Sequence, residues 1–388
     1  MSSEKERSLE WRAEPGGISL GNLDSWYLGT ERIHTVPSKA DYADRGISTL
    51  LDGWLPASTL IHAGTRVIGV GSCFAQYFIT WLADHGFNRA ADTSAYNALV
   101  RYGSTFESPA VIAQQFRWAF DEFDAKNALW IGKDRELFEA NEERRKLVRE
   151  TLGRTDVLIL TLGLSEVWYD NVTGEPMWRA LTKRHYDPAR HVFRVETMQD
   201  TKRHLEKIEE LRQRHLPALK IVYTVSPVRL AATFRPVAAV TANSASKAIL
   251  RAALDEFLRE RPALVNRELF YFPSYEIVHD FFRDAFDVDN RHVTPHVAKQ
   301  VVNAFARFYC APEMLADIQP DAGGDEQVTR LADLERRIVE LQRVCDERQK
   351  VIEGLDQAAR ERLALVEKLH TECAALQRQI AEKGTRKP

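Results

Sequence analysis

The stretch 66-RVIGVGSCFAQYFITWLADHG-86 joins two side-chain patterns. "RVIGVGS" is short, β-branched and apolar, the composition of a strand buried on both faces. "CFAQYFITWLADHG" then places Phe74, Phe78, Trp81 and Leu82 at helical spacing, and Gly86 stands where a helix C-terminal glycine belongs. The stretch reads as strand, sharp turn at Gly71 and Ser72, then helix. That turn sets a serine beside a cysteine, two nucleophile-capable side chains at the end of a buried strand.

The same alternation recurs downstream. "DVLILTLGLSEVW" (156–168) reads as a second continuous apolar strand ending in glycine and polar residues. "TMQDTKRHLEKIEELRQRH" reads as a charged amphipathic helix, and "LKIVYTVSPV" (219–228) as a third strand stopped by Ser226 and Pro227. "ANSASKAILRAALDEFLRE" is a helix with Asn243 or Ser244 as its expected cap. "ELFYFPSYEIV" follows as a short strand and loop. "TPHVAKQVVNAFARFY" (294–309) is a helix opened by Thr294 with Pro295 in its first turn. Strands alternating with helices predict an α/β fold with a largely parallel sheet covered on both faces.

Bulk properties narrow the function classes. The 388 residues carry a net charge of −3, which offers no electrostatic case for nucleic acid. The apolar fraction of 44% suffices for a sizeable core. No run of eighteen apolar residues occurs, so no membrane span is expected. The opening "MSSEKERSLEWRAEPGG" lacks the apolar segment of a signal peptide, and the expected compartment is the cytoplasm. Four cysteines, at 73, 310, 345 and 373, are too scattered for a disulfide framework. No Cys-x-x-Cys or His-Glu-x-x-His spacing appears, so a structural or protease-like zinc site is not expected; no metal or cofactor is assigned.

The organisation expected is an N-terminal arm over 1–59, an α/β domain over 60–311, a Pro/Gly/Asp linker over 312–327, a coiled coil over 328–383 and a tail over 384–388. In the coiled coil one seam holds Leu331, Ile338, Cys345, Ile352, Ala359, Val366, Cys373 and Ile380. The other holds Leu334, Leu341, Arg348, Leu355, Arg362, Leu369 and Leu376. β-branched residues on the first seam with leucine on the second favour two parallel strands, hence a homodimer. A lone helix folding back on the body is the alternative.

In an open parallel sheet, chemistry gathers beyond the carboxyl ends of the strands. Ser72 stands at such an end, before a helix whose free N–H groups favour negative charge. It can attack a carbonyl while nearby amides stabilise the oxyanion, or it can simply cap the helix. Cys73 is the competing nucleophile, activated by the helix N-terminus. Helical geometry turns its side chain about 100° from that of Ser72, which suits a packing role better. A serine needs a base. In "DVDNRHVTPH" (287–296), Asp289 and His292 are close enough for one loop to carry both, the carboxylate orienting the imidazole. Asp287 competes with Asp289; His296 reads as packed or solvated.

Other motifs have quieter readings. Arg229 in "SPVRL" belongs to a strand-end loop or binds an anionic group. Lys247 and Arg251, one helical turn apart, read as a solvated face rather than a phosphate site. Tyr271 and Tyr275 either line a pocket or pack the sheet edge. Glu166 continues its strand into the site, and Trp168 reads as packing.

Taken in order, these features resemble the SGNH (GDSL-type) hydrolases, and within them the GSCFA family, whose pentapeptide stands here at 71–75. "RYGSTF" (101–106), "LTLGLSEVW" (160–168), "TVSPVRL" (224–230), "NSASKAILR" (243–251), "YFPSYEI" (271–277) and "DNRHVTP" (289–295) are similar to that family in its order. The resemblance spans about residues 60 to 310. It implies a three-layer α/β/α sandwich with a flavodoxin-like sheet. It implies Ser72 as nucleophile, His292 as base and Asp289 as its partner, with Gly71 and Cys73 in support. In SGNH enzymes an asparagine after Gly-x donates to the oxyanion; here Gly163 is followed by Leu164 and Ser165, a hydroxyl of shorter reach. Gly103, with Ser104 beside it, is the loose match for the remaining block.

Three functions follow as expectations. The first is a serine esterase acting on acyl esters, O-acetyl groups on a carbohydrate being one class. The second is an O-acyltransferase of bacterial polysaccharide modification using the same residues. The third is a non-catalytic α/β binding module on a dimeric stalk.

Overall fold

The computed structural model of the chain describes residues 36–37, 39–72, 74–86, 107–120, 122–123, 130–131, 137–138, 140–178, 183 and 185–315, and isolated helical positions between 341 and 373. Cys73, Gly103 and Ser104 lie outside the described residues, as does most of the expected linker. By contacts the chain divides into two units, Met1–Asp321 and Ala322–Pro388.

Four parallel strands form the centre of the first unit: β1 (Val67–Gly71), β2 (Val157–Leu162), β6 (Lys220–Val225) and β7 (Leu269–Tyr271), hydrogen-bonded in that order. In register, Val67 pairs with Val157 and Gly71 with Thr161, and β2 continues onto β6 from Val157 opposite Lys220 to Leu162 opposite Val225. Successive side chains of a strand point to opposite faces, and here both faces are apolar. Ile68, Val70, Leu158, Leu160, Ile221, Tyr223 and Tyr271 enter one buried cluster. Val67, Val157, Ile159, Val222 and Phe270 enter the other. This is why these strands read as continuous apolar runs rather than alternating ones.

Helices cover both faces. The first cluster takes side chains from α3 (Pro109–Ala119), α4 (Glu142–Gly153), α5 (Met198–His215) and α6 (Ala239–Arg259). The second takes them from α2 (Phe74–Asp84) and α7 (Pro295–Tyr309), where Phe78, Phe272, Phe305 and Tyr309 meet edge to face or stacked. Within the segment read as an arm, α1 (Lys39–Arg45) precedes a 3₁₀ turn, and Ile47 and Leu51 are buried in this second cluster. A two-residue hairpin at Trp130–Ile131 and Leu137–Phe138 stands apart from the central sheet.

Two sequence readings need correction. The run 156–168 is not one strand. It breaks at Gly163, whose N–H donates to Glu107 O at 2.7 Å, and resumes as β3 (Glu166–Asp170) in a separate antiparallel sheet with β4 (Glu175–Pro176) and β5 (His191–Val195). A side chain at position 163 would press on Glu107, its Cβ 2.8 Å from that residue's Cβ. Nor do Asn243 and Ser244 cap α6: the helix begins four residues earlier, at Ala239. The Asn243 amide oxygen instead accepts from Leu230 N–H at 3.0 Å, tying down the loop after β6. α7 opens as read, with Thr294 accepting from Val297 N–H and Pro295 at its first position.

Among the described residues no helix is long and apolar enough to cross a membrane. In the second unit, the described positions between 341 and 373 are helical, and Leu341, Ile352, Leu355, Val366 and Leu369 of the two seams are exposed.

Candidate active site

Ser72 sits where β1 stops, and two glycines make that ending possible. Gly71 has φ of +126°, and a Cβ there would lie 2.1 Å from Thr161 O. Only glycine tolerates both the conformation and the approach. Gly69 lets α2 lie against the strand, since a Cβ there would be 2.8 Å from Ile79. The Ser72 N–H still donates to Thr161 O at 3.0 Å, extending the ladder by one bond. Its hydroxyl oxygen accepts from Phe74 N–H at 3.2 Å, so Ser72 does cap α2. The same hydroxyl donates to Ser226 Oγ at 2.8 Å. Ser226 occupies the equivalent end of β6, with its own N–H on Leu162 O and its hydroxyl accepting from Val228 N–H.

Ser72 and Ser226 line a cavity of about 330 Å³ at the carboxyl ends of the strands. Gly163 and Glu107 line it as well. The small sheet supplies Glu166, Trp168 and Phe193, and the loop after β6 supplies Arg229 and Phe234. Glu166 and Trp168 share one face of β3, being two residues apart. The Trp168 ring meets Phe234 edge to face at 4.9 Å and Phe193 at 5.7 Å. Glu166 is buried; one carboxylate oxygen accepts from Thr233 Oγ1 at 2.7 Å, and the other makes no hydrogen bond and lies 4.0 Å from the Arg235 guanidinium.

The residue from the far end of the chain that reaches this cavity is Arg291. It sits on the loop between β7 and α7, closed like a hairpin: Phe286 bridges Val293, and Asp287 N–H donates to His292 O at 2.8 Å. Asn290 turns the loop in the left-handed region, φ +52°, which asparagine tolerates better than most residues. The turn brings Asp289 onto its own neighbours. Asp289 Oδ1 accepts from Arg291 N–H and His292 N–H, and Oδ2 lies 2.5 Å from His292 Nδ1. The His292 and Arg291 backbone N–H groups, with the imidazole, pull the Asp289 carboxyl down to about 2. Arg291 Nη1 lies 2.8 Å from His292 Nε2. A guanidinium has donors only, so Nε2 accepts here and the proton is on Nδ1, donated to Asp289.

The predicted residues divide accordingly. Asp289 and His292 form one pair, exposed on the loop that carries Arg291, and neither is among the residues that line the cavity. Asp287 is not its carboxylate; that side chain accepts from Val288 N–H. His296 is a helical turn away, with Nε2 on the Gln300 amide nitrogen at 2.9 Å. Ser72 is in the cavity, hydrogen-bonded to Ser226 rather than His292. Gly163 lines the cavity, with its N–H committed to Glu107 O and its carbonyl accepting from Lys247 Nζ at 2.6 Å. Ser165 is fully buried off the cavity, its hydroxyl donating to Ser246 Oγ at 3.2 Å.

Lys247 and Arg251 are not a solvated face. Lys247 is 1% exposed, and Arg251 is bound to Glu276 and Asp255. Tyr271 packs within the sheet with its hydroxyl on Glu276, and its proton is held more tightly than usual by burial. The lining residues Ser226, Arg291, Phe193 and Phe234 are not among the candidates from sequence. Ser226 carries a signal, since "TVSP" ends a buried strand in a serine as "VGSC" does; Phe193 comes from β5 of the small sheet and Phe234 from the loop after β6, and neither segment has a strand or helix pattern that points to the site.

Among the described residues no group of three or more His, Cys, Asp or Glu could hold a metal ion. No curated protein matches the chain. The profile of the GSCFA family matches residues 66–305, a span that opens just before β1 and closes within α7.

Proposed function

The chain belongs to the GSCFA family, and from that premise we propose that it is an SGNH-type serine esterase acting on acyl esters, carbohydrate O-acetyl esters being one class. The reading rests on one observation above the rest: the strand-end Ser72 shares a cavity with Arg291, the chain neighbour of an imidazole already oriented by a carboxylate. In the reaction, the Ser72 hydroxyl rotates from Ser226 towards His292. Its oxygen forms a bond to the ester carbonyl carbon while Nε2 takes the proton. The tetrahedral oxyanion collapses, the C–O bond to the alcohol breaks, and the imidazolium returns the proton to the departing oxygen. Water then repeats the sequence on acyl-Ser72 and releases the carboxylic acid. Asp289 keeps Nδ1 protonated and stabilises the imidazolium.

A second reading, transfer of the acyl group to a sugar hydroxyl, is favoured by the cavity wall. Trp168, Phe193 and Phe234 offer aromatic faces, and the buried Glu166 carboxylate has an acceptor oxygen without a hydrogen bond. A polyhydroxylated acceptor matches both. The exposed apolar seam residues of the second unit support a parallel homodimeric coiled coil, and a cytoplasmic protein is the setting for both readings.

The test is turnover of p-nitrophenyl acetate together with labelling by a serine-directed phosphonate. Label on Ser72, lost in Ser72→Ala and slowed in His292→Ala, is expected. A folded protein showing neither turnover nor label overturns the proposal and leaves a binding module on a stalk. Faster ester loss on adding a sugar acceptor selects the transferase reading.

A further inference from the structure

Among the described residues, most arginines of the first unit that reach a partner reach a carboxylate. Arg45 pairs with Asp52, Arg66 with Asp156, Arg117 with Glu175, Arg190 with Asp170, Arg212 with Glu209 and Glu268, and Arg251 with Glu276. The two that line the Ser72 cavity differ. Arg229 places Nη1 on Asn290 O at 3.0 Å and on Asn290 Oδ1 at 2.5 Å, with its guanidinium carbon 3.8 Å from the centre of the Phe286 ring. Arg291 places Nε on Arg229 O at 2.9 Å and Nη1 on His292 Nε2 at 2.8 Å. Each of these acceptors is neutral. Among the described residues neither guanidinium has a carboxylate within 4.0 Å, whereas Glu166 of the same cavity has Arg235 and Thr233. The nearby Asp289 is bound to the imidazole and two backbone N–H groups instead.

We propose that Arg229 and Arg291 bind an anionic group of the substrate, a carboxylate or a phosphate, and that doing so lifts Arg291 off Nε2 of His292. The regulatory half rests on His292 being the base of the proposed hydrolase; the binding half does not. The physical argument is an exchange of acceptors. A guanidinium bonds an oxyanion through two parallel, charge-assisted N–H···O bonds, about twice as strong as bonds to a neutral acceptor. Arg291 now spends one N–H on an imidazole nitrogen, the lone pair that must take the Ser72 proton. An anion in the cavity offers Arg291 a better partner and frees that lone pair. A neutral ester finds the base partly capped and turns over slowly; an anionic one uncaps it. The pair is thus both a specificity device and a latch.

Methyl phosphate and glucuronate serve as probes, with glucose and sodium chloride at matched ionic strength as controls. The readout is the His292 Nε2 resonance in full-length protein carrying ¹⁵N-histidine. Either anion is expected to shift that resonance saturably. Arg229→Gln weakens the response about ten-fold, the loss of one charge-assisted pair. Arg291→Gln abolishes it, and Arg291→Lys retains part of it. The tighter of the two anions identifies the group. Arg291→Gln is also expected to hydrolyse p-nitrophenyl acetate several-fold faster than the wild type, because its base is already uncapped. A purely structural Arg291 would make it slower. No saturable shift with either anion, or equal shifts in Arg291→Gln, overturns the proposal. Phosphonate labelling of Ser72 keeps the two readings apart. Label without an anion response sinks the anion site alone, whereas an anion response without label sinks the hydrolase reading and leaves the anion site standing.

Discussion

Two strand ends share one grammar and meet different fates. β1 and β2 are adjacent, parallel and apolar, and each runs through a glycine into a serine: Gly71 then Ser72, Gly163 then Ser165. At the first, the positive φ of Gly71 swings the chain into α2 and leaves Ser72 on the cavity. At the second, Gly163 is held by Glu107 and Lys247, the chain runs on into a second sheet, and Ser165 is sealed against Ser246. A serine at a strand end is therefore an opportunity, and the backbone at the preceding glycine decides whether it faces the cavity.

The sharpest way to break this contrast is to remove each hydroxyl. Ser72→Ala is expected to lower ester turnover by about 10⁴-fold or more, as loss of a nucleophile does. Ser165→Ala should leave kcat/KM within about three-fold. A genuine oxyanion donor there would instead cost roughly 10²–10³, and such a loss would show that Ser165 reaches the substrate.

Next come the glycines, compared by denaturant unfolding. Gly71→Ala forces a Cβ to within 2.1 Å of Thr161 O at a positive φ. A cost above about 4 kcal/mol is expected, because the clash is with backbone inside the sheet. Gly163→Ala meets the Glu107 side chain at 2.8 Å, and repacking should hold the cost to about 1–3 kcal/mol. Equal costs would mean that the two strand ends are not built differently. The stability cost of Ser165→Ala should be smaller still, about 1 kcal/mol, since Ser246 keeps the Ser165 N–H at 2.8 Å.

The smallest effect concerns the loop that carries Asp289 and His292. The Asp289 carboxyl is held at about 2, below its ordinary 3.8, by the His292 and Arg291 N–H groups and the imidazole. A depressed folded value means that the contribution is present above the ordinary carboxylate range and is lost as pH falls towards 2. A carboxyl ¹³C titration should show a midpoint near 2, and a midpoint near 3.8 would mean that the loop does not hold its turn. Because the group is exposed, the effect on global stability should be slight.

Legibility followed range along the chain. Asp289 and His292 sit three positions apart on one loop, so a local reading could place them together. Thr294 and Pro295 announce α7 because capping is settled within one turn. The central strands were legible because burial on both faces writes itself into every residue. The break at Gly163 was not, since it depends on Glu107, more than fifty residues earlier. The burial of Lys247 was not either, because its acceptor, Gly163 O, belongs to another element.

What the residues alone determined was the alternation of apolar strands and amphipathic helices, a parallel sheet with two covered faces, and a serine, an aspartate and a histidine at loop positions. What only the tertiary structure decided was orientation: Ser72 on Ser226, Ser165 turned inward, and Arg291 between the cavity and Nε2 of His292. The physical reason is that periodicity is set by neighbours in sequence, whereas the direction of a hydrogen bond is set by whichever distant group packing brings within reach.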